Sequence, residues 1–174
     1  GCNNFCSYCI VPYVRGREVS RDVDSIIEEV KYMDERGVKE ITLLGQNVNS
    51  YSSTYNGESV DFPKLLELIT PYMKNILWVR FESPHPKDFS DDLIRVIRDN
   101  KKVAKHIHLP MQSGNSRILE LMNRHTTRER FISLLEKMKR EIPGLTLSTD
   151  VIVGFPTETE EEYLDTLSMM EIMD

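Results

Sequence analysis

Cys2, Cys6 and Cys9 fall within eight residues as C-x-x-x-C-x-x-C and are the three cysteines of the chain. Three thiolates so close together can wrap one small metal cluster. An iron–sulfur cluster held wholly by protein takes four cysteines, so one iron here is left without a protein ligand. An open iron can bind a small molecule and pass it an electron. Zinc is the competing chemistry, because three cysteines and a histidine make a common structural set. Zinc motifs usually pair cysteines in two C-x-x-C knuckles, however. This chain has no second pair, and its nearest histidine, His85, lies far along the sequence. An odd cysteine count also argues against a disulfide framework.

The elements that must position this motif follow from hydrophobic period and capping signals. Asp22 or Asp24 can cap a helix in which Ile26, Ile27, Val30 and Met33 share a face, with Gly37 just past its end. Lys39–Leu44, Ile76–Phe81, His106–Leu109 and Leu145–Val153 read as strands. Helical spacing predicts helices over Asp61–Tyr72, Asp88–Asn100, Ser116–Met122 and Thr127–Ile142, and another after Thr159. Thr126 with Glu129, and Thr159 with Glu162, have capping-box spacing. Gln46–Val60 is left as one long loop, a length that in a compact domain is often functional. Strands alternating with helices predict βαβ units around a parallel sheet.

The unusual polar residues cluster just after these strands. The segments are Gly45–Asn49, Glu82–Pro86, Pro110–Gly114 and Gly154–Pro156. In parallel α/β folds, sites form at the carboxyl ends of strands. If a strand lies upstream of Gly1, the cysteine loop shares that rim. Blander roles compete at each position: Gly45 and Gly154 can serve tight turns, and Phe5 and Tyr8 can pack the cysteine loop. His106 and His108 alternate with Ile107 and Leu109 and fit satisfied core or surface histidines. Arg80 and Asp150 fit buried ion pairs better than catalysis.

With 174 residues, 40% hydrophobic and 29% charged, the chain suits one domain with a sizeable core. A net charge of −6 disfavours a general nucleic-acid footprint. Local basic groups (Arg15, Arg17, Arg21; Lys101, Lys102, Lys105; Arg117, Arg124, Arg128, Arg130) read as solvated faces that could meet phosphate. No apolar run approaches the roughly 18 residues of a membrane span, and no signal peptide opens the chain. It opens at Gly1 rather than methionine and ends at Asp174 within an expected helix, which predicts a piece of a longer protein.

Taken together, GCNNFCSYCIVPYVRGREVSR, LLGQNVNSY, SPHP, HLPMQSGN with MNR, and STDVIVGFPTET resemble the MiaB-type tRNA methylthiotransferases of the radical S-adenosylmethionine (SAM) superfamily. The resemblance covers essentially the whole chain, and C-x-x-x-C-x-x-C is that superfamily's signature. Relatives acting on a ribosomal protein or on threonylcarbamoyl-adenosine in tRNA differ at LLGQNVNSY. Two places depart from the expected pattern: MQSGN for LQSGS, and PTET for PGET. The second puts Thr157 where a glycine belongs and leaves the turn after Pro156 in question.

The resemblance implies an α/β fold, a partial (β/α) TIM-like barrel of the radical SAM type, truncated at both ends and spanning residues 1–174. It implies a [4Fe–4S] cluster on Cys2, Cys6 and Cys9, with SAM on the free iron. An electron from the cluster would cleave the sulfonium and release a 5′-deoxyadenosyl radical. That radical would activate C2 of N6-isopentenyl-adenosine 37 in the tRNA anticodon stem-loop for methylthiolation. By position, Tyr8, Gly45, Gln46, Ser83, Gln112, Ile152 and Gly154 would approach SAM, with Ile152–Gly154 as an apolar edge for its adenine. An auxiliary [4Fe–4S] cluster in an absent N-terminal domain, an absent C-terminal TRAM domain, and an electron donor such as flavodoxin or ferredoxin are implied too. So is a cytoplasmic enzyme with no membrane partner. The alternatives are a different methylthiotransferase substrate, or a non-catalytic module stabilised by zinc.

Overall fold

The computed structural model describes Gly1–Met173; the helix end expected at Asp174 lies outside the described residues. After the cysteine loop comes a short helix that sequence periodicity misses, α1 (Val11–Arg15), with Pro12 in its first turn. Proline is tolerated there because those N–H groups lack helical partners anyway. α2 (Val23–Glu35) begins at Asp22, whose carboxylate accepts the Ser25 N–H at 2.8 Å. It closes as expected at Gly37 (φ +74°), with the N–H groups of Gly37 and Val38 donating to the carbonyls of Asp34 and Met33.

β1 (Glu40–Leu43) follows. The stretch 46–60, expected as one loop, instead forms a 3-10 turn (Val48–Ser50) and an antiparallel hairpin of β2 (Ser52–Tyr55) and β3 (Glu58–Asp61). Asn56 and Gly57 make its two-residue turn, both at positive φ (51° and 83°). An Asn-Gly pair is the strongest short-range hairpin signal, and here it overrides the polar, loop-like composition around it.

α3 (Phe62–Ile69) starts at Asp61, which accepts the Lys64 N–H at 2.9 Å. Then come β4 (Trp78–Phe81), α4 (Asp91–Asp99) and β5 (His106–His108). The remaining elements are α5 (Ser116–Leu121), α6 (Arg128–Glu141), β6 (Thr146–Ser148) and α7 (Glu160–Met173). The capping box at α7 is present: Thr159 N–H donates to Glu162, and Glu162 N–H to Thr159 Oγ1. The box expected at Thr126 does not form, and the cap falls one residue later. Thr127 caps α6 by accepting the Arg130 N–H, and Glu129 turns to Ser116.

Two parallel ladders carry the sheet. β1 pairs with β4 (Ile41 opposite Val79, Leu43 opposite Phe81), and β5 pairs with β6 (Ile107 opposite Leu147). An isolated parallel bridge from Val79 of β4 to Val103, three residues before β5, links the two ladders. The long strand expected over 145–153 is interrupted. The Thr149 hydroxyl donates to Leu109 O at 2.8 Å and accepts from Met111 N at 2.9 Å, taking the place of ladder bonds. Pairing resumes at Gln112 and Val151.

One face of these strands is apolar and covered. Ile41, Val79, Phe81, Ile107 and Leu109 pack beneath Leu66 and Ile69 of α3, Ile94 and Ile97 of α4, and Phe131, Leu135 and Met138 of α6. α4 shows how the sequence dictates this: Leu93, Ile94, Val96 and Ile97 are all buried while Asp91, Asp92 and Arg95 face water. Each such side chain contributes about 1.5–3 kcal/mol on burial. Fold class is therefore mixed α/β, with the helices on the apolar face of a parallel sheet.

Candidate cluster and cofactor site

The cysteine loop is tied down by hydrogen bonds rather than by apolar packing. On one side, Cys2 N–H donates to Gly16 O (3.1 Å), and Asn3 exchanges bonds with Glu18. Gly1 lies so close to the Gly16 and Arg17 carbonyls that a Cβ would sit about 2 Å from them, so no larger residue fits without rearrangement. On the other side the loop rests on the end of α5. Ser7 N–H and Oγ donate to Met122 O and Leu121 O, and Asn123 Nδ2 donates to Asn4 O and Phe5 O. Phe5 (φ 50°) and Asn123 (φ 54°) both adopt left-handed backbone at this junction. That costs about 1–2 kcal/mol at an ordinary residue.

All three cysteines are free thiols; Cys2 and Cys6 are buried and Cys9 is partly exposed. Burial pushes the Cys2 thiol pKa up, partly offset by a backbone hydrogen bond at Asn4. Beneath Cys6 lies Arg124, only 5% exposed. It donates to Cys6 Sγ (3.8 Å) and to Pro110 O (2.6 Å). The sequence placed Arg124 on a solvated basic face. The structure buries it instead, because the turn after α5 folds back under the loop. Tyr8 sits at the same place: burial raises its hydroxyl pKa, Arg124 opposes that, and Cys6 reinforces it. His85 is buried as well, its pKa lowered to about 3 by desolvation and then by the charges of Arg124, Lys87 and His125.

The segments after β1 and β4 are locked together. The Asn49 side chain donates to His85 O (3.0 Å) and accepts from His85 N (2.8 Å). Asn47 donates to Asp88, and Ser50 donates to Glu18 beside the cysteine loop. An open cleft of about 770 Å³ lies here, with Gly45, Gln46, Ser83, Thr42, Glu82 and Arg15 among its lining. A Cβ on Gly45 would come within 3.2 Å of Val48 Cα, so the post-β1 backbone turns where only glycine fits easily. Gln112 and Ile152 meet at the ends of β5 and β6, where Ile152 N–H donates to Gln112 O. Gly154 (φ +75°) donates its N–H to Glu158. The residues singled out from the sequence thus fall into three groups on one rim: Tyr8 with the cysteines, Gly45, Gln46 and Ser83 in the cleft, and Gln112, Ile152 and Gly154 beyond β5. Ser83 (φ 60°) and Gln112 (φ 74°) both hold strained backbone, a state that clusters at functional sites.

The opposite face of the strands carries polar side chains, with Trp78 half exposed among them. Arg80 pairs with Glu40 at 3.0 Å, and His108 with Asp150 at 3.1 Å. Arg80 and Asp150 thus have partners, but the burial expected of them is not found, because these side chains project from the face without helices. His106 and His108 bond Thr146 and Ser148 across the ladder on that same face. Sequence reading missed Arg124 as part of the site, and it put His85 and Asn49 in the rim segments without their buried, interlocking roles. The only signal was their place in MNR, SPHP and QNVNS, since burial of a polar residue leaves no mark in local periodicity.

The residues present fit an iron–sulfur cubane. The donor set is three thiols on one loop, and Arg124 Nε beside them is a buried donor with no partner. Among the described residues, no three Cys, His, Asp or Glu side chains converge on the position of a single ion. A cubane is larger than an ion and takes its thiolates farther apart.

The chain's residues 1–170 match the radical SAM superfamily model, and the chain belongs to that superfamily. Membership implies a [4Fe–4S] cluster and SAM. Among its relatives is the tRNA-2-methylthio-N(6)-dimethylallyladenosine synthase of Acetivibrio thermocellus, 55% identical over 98% of this chain and 35% of the relative. The enzymes of the same name from Parabacteroides distasonis and Treponema pallidum are 54% and 52% identical, over 37% and 38% of their length. The chain thus spans little more than a third of the relatives it matches. No described helix is long and apolar enough to cross a membrane.

Proposed function

We propose that residues 1–174 are the radical SAM core of a tRNA-2-methylthio-N6-dimethylallyladenosine synthase. The observation that carries this reading is 55% identity over 98% of the chain to an enzyme of that name. The buried anchoring of the cysteine loop at the strand rim supports it. The fold is a partial (β/α) barrel: two parallel ladders linked by the Val79–Val103 bridge carry helices on their apolar face, and the free edge of β1 would take a further strand. The substrate is adenosine 37 in the tRNA anticodon stem-loop. The auxiliary cluster, a TRAM domain and the docking of an electron donor such as flavodoxin or ferredoxin belong to other parts of a longer, cytoplasmic enzyme.

When bound, the cluster supplies the electron that cleaves SAM reductively. Cys2, Cys6 and Cys9 hold it, and the ties to Gly16, Met122 and Asn123 keep those sulfurs in register. Gly45 and Gln46 line the cleft where backbone can approach the methionine end of SAM. Ser83 and Gln112, pre-set at positive φ, point polar groups at the same rim, and Tyr8 flanks it. Ile152 and Gly154 offer an apolar edge for adenine. Val153, 63% exposed between them, is available for that contact. Burial of the loop's underside excludes water from the thiolates.

Anaerobic reconstitution with iron and sulfide, then SAM and dithionite, tests the core. The expected result is 5′-deoxyadenosine from the unaltered chain and none from Cys2→Ala, Cys6→Ala or Cys9→Ala. Zinc at one equivalent in place of iron and sulfide would refute the reading. Mass spectrometry of tRNA treated with the full-length enzyme separates isopentenyl-adenosine from threonylcarbamoyl-adenosine as the target.

A further inference from the structure

We infer that Arg124 is the positioning residue that supplies the resident cation of the cluster site. Its guanidinium donates to Cys6 Sγ and, with the cluster bound, holds the cluster's reduction potential up. The inference rests on the reading that Cys2, Cys6 and Cys9 carry a cluster.

A buried guanidinium needs an anion. Taking it out of water costs several kcal/mol unless charge and hydrogen bonds compensate. Arg80, Arg98 and Arg117 each pair with a carboxylate at the surface. Arg124, far more buried, has no carboxylate within 4.0 Å among the described residues, and its bonds go to Cys6 Sγ and Pro110 O alone. Its Nε–H is buried without an acceptor. Its neighbours do not supply the missing charge, for His85 is held neutral and Lys87 and His125 add only positive potential. The group its second arm faces is Cys6 Sγ, so the negative charge it meets first is that of the thiolates around a cubane.

A structural staple would need only the bond to Pro110 O. The second arm of the fork is aimed at sulfur, and that arm has an electronic consequence. Reduction adds one negative charge to the cluster. A nearby buried cation stabilises the reduced form more than the oxidised form, and hydrogen bonds to cluster sulfurs act in the same direction. Removing the cation therefore makes the cluster harder to reduce.

The test is a dithionite redox titration, followed by electron paramagnetic resonance, of the reconstituted chain and its Arg124→Gln and Arg124→Lys variants. Iron, sulfide and thermal unfolding are measured on each. The expected midpoint moves to more negative potential in Arg124→Gln and lies in between for Arg124→Lys, which keeps the charge. The reduced cluster of unaltered chain grown with ¹⁵N-arginine should also show a weak ¹⁵N hyperfine coupling, a readout that needs no variant to fold. Coincident midpoints in cluster-loaded variants, or no arginine nitrogen coupling, would reduce Arg124 to a staple and overturn the inference. Failure of the unaltered chain to take up iron and sulfide would instead bring down the cluster reading and this inference with it.

Discussion

The two faces of the parallel strands are held by different forces. On the helix-covered face, Ile41, Val79, Phe81, Ile107 and Leu109 are buried among aliphatic and aromatic side chains. On the other face, and along the rim beside it, Glu40, Arg80, His106, His108 and Asp150 meet in pairs that stay partly wet. The cysteine loop belongs to the second regime, since named hydrogen bonds and one buried arginine seat it. Burial of apolar area is non-directional and tolerant of detail. A polar seat specifies geometry, and a single lost partner leaves a buried group unsatisfied. The fold is thus secured on one face while the other is free to be shaped by chemistry.

This contrast can be broken from either side. The largest expected effect is on the covered face. Leu66→Ala, at a fully buried position in α3, should cost about 2–5 kcal/mol in urea-unfolding free energy. Cys2→Ser should abolish iron binding while moving that free energy far less. Next is the buried His85. Its pKa is lowered to about 3 in the folded chain, against about 6.5 unfolded, so the unfolded state binds the extra proton. Its contribution is complete above about pH 6.5 and is lost as pH falls toward 3, at up to roughly 1.4 kcal/mol per pH unit. Unfolding curves at pH 7, 6 and 5 should show that slope, and His85→Gln should flatten it.

Smaller is the turn after Pro156. Thr157 stands at φ +72°, a conformation that suits glycine and strains a β-branched residue. Thr157→Gly should raise stability by up to about 1 kcal/mol, because the Arg117 bond to the Thr157 carbonyl (2.8 Å) survives and only its long, exposed bond to Thr157 Oγ1 (3.4 Å) is lost. Smallest is the open polar face. Arg80→Ala, breaking a half-exposed pair with Glu40, should change stability by less than about 1 kcal/mol and less still in high salt. A large loss there would mean that the polar face carries folding energy after all.

The same contrast explains what could be read from sequence. Period placed α4, begun three residues later than expected at the Ser90 cap, and caps placed the start of α7, because Leu93, Ile94, Val96 and Ile97 mark a buried stripe and Thr159 with Glu162 form a capping box. The three cysteines were legible from spacing, and the strained turn at Thr157 from a missing glycine. Three features were not. The hairpin at Asn56–Gly57 was masked by the polar residues around it. The strand break at Thr149 depends on a hydroxyl finding Leu109 across the ladder. The burial of Arg124 depends on a contact spanning 118 residues, which no local pattern can announce.

That span has a consequence for how the protein is made. Asn123 secures Phe5 across 118 positions, so the seat of the first loop is encoded by residues the ribosome reaches much later. At about 5–20 residues per second, the thiols wait of order ten seconds after synthesis before α5 can receive them. During that interval they are exposed nucleophiles on a nascent polypeptide, open to oxidation or to stray metals. The loop can therefore be seated only once residues 121–124 have emerged from the exit tunnel.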